Sequence, residues 1–265
     1  MRKLESHELA LVAGGVTTGL GVGVDGIVNA TPKLATDVAN LMNGPNHWTF
    51  QYAPANSPYN GSVTVFGSTH TVYIDNRYTD NASVATGQFL HELGHIEAGA
   101  PPDVTKLSEA DYMRLSVLNE ASAQTTAMQY ASVLSGAGLQ VHLPGSQEAL
   151  TNEMHSYLSI LSQVQSGNMQ MPQAMGLLQQ QFSKFMANEK LANGMTYMQY
   201  YDQFWHDNHS FPVNGGNTVG ATGGGGGSFV HSGTGGVSVN PFDGWQLSPW
   251  SPVMNPTVTV GEIRP

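Results

Sequence analysis

The five residues His91-Glu92-Leu93-Gly94-His95 constrain this chain more than any other stretch. They read HExxH, a spacing that lets one helix offer two imidazoles to a single metal ion with a carboxylate beside them. At 100° per residue His91 and His95 lie about 40° apart on one helix face. The surroundings predict a helix from Ser83 to about Ala98, with Asn81 or Ser83 as cap and Pro101-Pro102 as a stop. Ala85, Phe89, Leu90, Leu93 and Ile96 fall in an arc on the other side, which anchors the helix and turns both imidazoles toward a cleft. Gly94 costs about 1 kcal/mol against alanine in a helix interior, so it marks either close packing of another element or simple tolerance.

Upstream, residues 46–78 read as strands. Trp48, Phe50 and Tyr52 alternate with polar residues, as do Val63 and Val65, and then Val72 and Ile74. Turn clusters such as Asn60-Gly61 separate the runs. A short helix precedes them, with Thr31 as cap, Pro32 at its first position and Gly44 at its exit. Downstream the pattern is helical. One helix starts near Ser108, where a capping-box pattern stands, and runs to about Leu134. Others are expected at 146–165, 172–192 and 196–206, and Met175, Leu178, Phe182 and Phe185 form a core stripe on the second of these. The expected class is α+β: a small antiparallel or mixed sheet followed by a mainly helical part carrying the HExxH helix.

A sheet followed by an HExxH helix resembles the zincin metallopeptidases. Their extended metzincin pattern needs Gly at 98 and His at 101, where this chain has Ala98 and Pro101. The gluzincin group takes its third ligand from the next helix, often a Glu after Asn. Asn119-Glu120 stands 25 residues after His95. The resemblance therefore implies a Zn²⁺ held by His91, His95 and Glu120, with Asp103 and Glu109 as alternatives for the third ligand. It implies Glu92 as the catalytic general base, a peptide or protein substrate, and an edge strand (70–75) that pairs with substrate backbone. Tyr197, Tyr201, His155 and His206 are candidates for the oxyanion donor. The group's Asp four places after the Glu is replaced by Gln124, which leaves a ligand histidine without its usual partner unless Asp75 substitutes.

The first fifteen residues lack the apolar stretch of a Sec signal and carry Glu5 and Glu8. With Leu4, Glu8, Leu9 and Val12 spaced back from Gly14-Gly15, they resemble the double-glycine leader of bacteriocin and microcin precursors. An ordinary helix ending at a glycine cap is the plainer alternative. The resemblance implies a peptidase-containing ABC exporter, cleavage after Gly15 and a secreted product that begins at Val16. The organisation expected is a leader over 1–15, a flexible Gly-rich segment over 16–30, a metallopeptidase domain over 31–210 and a Gly/Pro-rich linker and tail over 211–265.

Composition removes other classes. A net charge of -10 argues against phosphate-driven nucleic-acid binding. With no cysteine, disulfides, thiolate zinc sites and cysteine nucleophiles are excluded. No apolar run is long enough to predict a transmembrane segment. A bacteriocin-like binding or membrane-active protein with a non-catalytic metal site is the competing reading, and it predicts activity that survives Glu92→Gln.

Overall fold

The computed structural model describes residues 15–209, apart from 56, 58–60, 68 and 192–193. The expected leader over 1–15, apart from Gly15, and the expected linker and tail over 211–265 lie outside the described residues. The architecture is mixed α+β and mostly helical: among the described residues, seven α-helices accompany one three-stranded sheet. In chain order the elements are α1 (Val22–Val28), α2 (Pro32–Asn43), β1 (Thr49–Tyr52), β2 (Val63–Val65) and β3 (Thr71–Ile74). After a 3₁₀ turn come α3 (Ala82–Ala98), α4 (Glu109–Gly136), α5 (Gln147–Gln165), α6 (Met171–Met186) and α7 (Tyr197–His209). No described helix is long and apolar enough to cross a membrane.

The sheet is mixed. β3 lies in the middle, parallel to β1 and antiparallel to β2, with Phe50 opposite Val72 and Thr64 also opposite Val72. This corrects the expectation that 70–75 is the edge strand. Both sides of β3 are already bonded, and the edges among the described residues are β1 and β2. The sheet packs on α3 through Phe50, whose ring meets Phe89 edge-on at 4.9 Å.

Residues 16–30, expected to be flexible, are a packed element. The Asn29 side chain holds the backbone of Val16 at both its N–H and its carbonyl, each at 2.8 Å. The buried carboxylate of Asp25 accepts from Thr18 N at 2.8 Å and Thr18 Oγ1 at 2.6 Å. Two of the glycines here, Gly19 and Gly23, serve close approach. Gly19 has a φ of 92°, and a Cβ on it would lie 2.8 Å from the Phe50 carbonyl oxygen.

α3 is stopped and started by local chemistry. Asn81 accepts from Val84 N at 3.2 Å, and Gly99 closes the helix with φ 87°. Gly87, His91, Gly94 and His95 fall within about 100° of one another on this helix. That arc carries two glycines and two histidines where α4 and the 140–143 segment approach. A Cβ on Gly94 would sit 2.5 Å from Ala123 Cα, and one on Gly87 would sit 1.7 Å from the His142 carbonyl oxygen. The two glycines let the α4 backbone and the 140–143 segment reach α3, and the two histidines fill the space between. Of the alternatives for Gly94, close packing is the one observed. α4 starts at Ser108, whose Oγ accepts from Asp111 N at 3.2 Å, and it presents Asn119, Glu120, Ala123 and Gln124 to that face.

Candidate metal centre

The α3–α4 contact brings His91, His95 and Glu120 together. Glu120 Oε2 lies 3.2 Å from His91 Nε2 and 3.6 Å from His95 Nε2, and one ligand atom from each residue lies within 4.8 Å of the others. In a tetrahedral zinc site with bonds of about 2.0–2.1 Å, ligand atoms sit about 3.3 Å apart. The donor set and its spacing fit such an ion. All three residues are buried, His95 and Glu120 completely.

Each of the three side chains is oriented by a partner on its far side. Gln124 Oε1 lies 3.1 Å from His91 Nδ1, and Asn119 Oδ1 lies 2.7 Å from His95 Nδ1. An amide oxygen only accepts, so each Nδ1 carries a proton, and each Nε2 is the ring nitrogen left to face Glu120 or a metal ion. Tyr201 donates from α7 to Glu120 Oε1 at 2.5 Å, which leaves Oε2 for the centre. Burial opposes a charged His95, but the adjacent Glu120 carboxylate carries its imidazole up to about 9. The same pairing, against burial, holds Glu120 well below the usual carboxylate range. A metal ion here therefore displaces a proton.

Glu92 is also buried and points to the sheet side, where Thr64 Oγ1 donates to its Oε2 at 2.7 Å. Burial pushes the Glu92 carboxyl above its ordinary value, more than the two imidazoles beside it pull it down. His91 and Glu92 form part of the wall of a cavity of about 440 Å³. Ser62, Arg77, Gln88, Glu189 and Tyr197 also line it.

Other residues singled out in the sequence fall elsewhere. Asp75 does not substitute for the missing aspartate. It is bonded to Arg77, with Arg77 Nε to Asp75 Oδ2 at 2.8 Å, and Gln124 itself serves His91. Asp103 pairs with Lys106 at 2.8 Å. Glu109 faces His206 at 3.7 Å, in a half-exposed group with Asp202. His155 is exposed on α5. Of the four oxyanion candidates, Tyr201 is committed to Glu120 and only Tyr197 borders the cavity.

Sequence reasoning missed Thr64, Tyr201 as a ligand partner, and Glu153. Glu153 Oε2 accepts from Gln124 Nε2 at 2.8 Å. These contacts span 28, 81 and 29 residues, and no local pattern announces them. The chain matches no protein-family model, no curated protein and no solved structure.

Proposed function

We propose that this chain is a zinc-dependent endopeptidase. The observation that carries the reading is the convergence of His91 Nε2, His95 Nε2 and Glu120 Oε2, each fixed by a partner on its far side, next to a fourth group, Glu92, that is tied instead to the sheet. Three protein donors leave one position open, as catalytic zinc sites require. Zinc bound there supplies acidification of a water and polarisation of a carbonyl.

The residues divide the remaining work. Glu92, held by Thr64, takes the proton from water and passes it to the leaving amine. Tyr197 lines the cavity as a donor toward the carbonyl oxygen. Burial first, and then Glu120 and Glu92, push its phenol well above its ordinary value, so it stays a protonated donor. The edge strand β2 reaches the cavity at Ser62 and offers its free edge to an extended peptide. We also propose export through a peptidase-containing ABC transporter with cleavage after Gly15, on the strength of the double-glycine pattern.

The test is cleavage of a peptide library by wild type, by Glu92→Gln and by wild type with chelator. The reading predicts specific cleavage that both treatments abolish, with zinc retained by Glu92→Gln. Cleavage by Glu92→Gln at the wild-type rate would overturn it.

A further inference from the structure

Gln124 presents its oxygen to His91 and its nitrogen to Glu153. The two ends of a side-chain amide are nearly the same size, so packing does not choose between them; polarity does. Turned the other way, the amide would aim N–H groups at His91 Nδ1, force the ring proton onto Nε2 and point it into the metal position. Glu153 is 1% exposed and stands on α5, outside the cavity wall. Its Oε2 accepts from Gln124 Nε2 at 2.8 Å, and the Pro144 carbonyl supports the same end from 3.4 Å. Its other oxygen, Oε1, has no hydrogen-bond partner among the described residues. A buried carboxyl with one bond is costly to keep for packing alone.

We infer that Glu153 is a positioning residue of the metal centre: it fixes the orientation of the Gln124 amide and thereby holds His91 with Nε2 free to bind metal. The inference rests on the metal-centre reading above. The carboxyl oxygen accepts whether the group is ionised or neutral, so the function persists in both states. The chain Glu153–Gln124–His91 thus does across three residues what a single carboxylate does when it touches a ligand histidine.

The test uses the full chain and measures zinc affinity by competition with a chromophoric chelator, the visible spectrum of the cobalt-loaded protein, and thermal melting without metal. Glu153→Leu is expected to weaken zinc about 10–100-fold and to change the cobalt spectrum. Glu153→Gln, whose amide can present either atom to Gln124, should fall between. The exchange Gln124→Glu with Glu153→Gln restores an acceptor on His91 and a donor behind it, and should recover wild-type affinity. This variant decides the matter if Glu153→Leu does not fold. An unchanged affinity and spectrum in Glu153→Leu, with only the melting temperature lowered, would overturn the inference. So would an exchange variant that folds but binds no better than Gln124→Ala. If wild type itself takes up no zinc in a His91-dependent way, the metal reading fails first, and this inference falls with it.

Discussion

Tyr201 donates a 2.5 Å hydrogen bond to Glu120 across 81 residues of sequence, and so decides which carboxylate oxygen faces the two imidazoles. The tyrosine is 2% exposed, and burial followed by the Glu120 charge keeps its phenol protonated. Tyr201→Phe removes the donor and leaves Glu120 Oε1 buried without it. Zinc affinity should fall about 10–100-fold, and metal-free stability by about 1–3 kcal/mol. Chelator competition and denaturant melts check the two effects separately.

The glycines on α3 set the distance to α4. Gly94→Ala places a methyl 2.5 Å from Ala123 Cα, a backbone atom that cannot swing away. We expect a loss of about 1–3 kcal/mol, as for overpacking in a tight core, together with weaker zinc binding. Gly136→Ala is the control. A Cβ there meets nothing within 4 Å, and at the end of α4 it should leave stability unchanged or raise it by up to about 1 kcal/mol.

Most of the scaffold could be read from local chemistry. Thr31-Pro32, Asn81 and Ser108 mark helix starts because caps act within one turn, and each helix begins where they stand. His91, His95 and Glu120 could be nominated because their spacing follows helix geometry and a known motif. Gln124 does not announce itself in the sequence as the His91 partner, because the resembled group has an aspartate there, although an amide oxygen accepts from Nδ1 just as well. The packed state of residues 16–30 was hidden for a different reason. Glycine is read as looseness, yet Gly19 is there so that the chain can pass close to Phe50.

Thr64 anchors the proposed base from the edge strand, with Oγ1 also 3.2 Å from the Glu92 carbonyl oxygen. Thr64→Val keeps the shape and removes the hydroxyl. Zinc content should be unchanged, while hydrolysis falls about tenfold, the kinetic equivalent of one hydrogen bond. Metal analysis beside kcat/KM on a cleaved peptide gives both numbers. Loss of zinc instead would place Thr64 in the metal site and not with Glu92.

Metal-free stability should depend on Glu153. Burial, with Glu189 as a further acidic influence and Gln124 opposing, pushes its carboxyl from 4.5 up to about 7. Between those values the folded chain binds a proton that the unfolded chain has lost, so stability falls as pH rises through this window and levels off above it. Glu153→Gln should lack that part of the slope, worth about 3 kcal/mol between pH 4.5 and 7. Glu97, also raised by burial, keeps its own contribution in both proteins, so the difference between their pH–stability curves isolates Glu153.

The proposed function requires His91, His95 and Glu120 to hold one metal ion through Nε2, Nε2 and Oε2. Anomalous diffraction at the zinc edge, on crystals of zinc-loaded protein, tests it most directly. A single peak within about 2.0–2.2 Å of all three atoms is expected. A peak elsewhere, or one at the two histidines with Glu120 still bonded only to Tyr201, would contradict it.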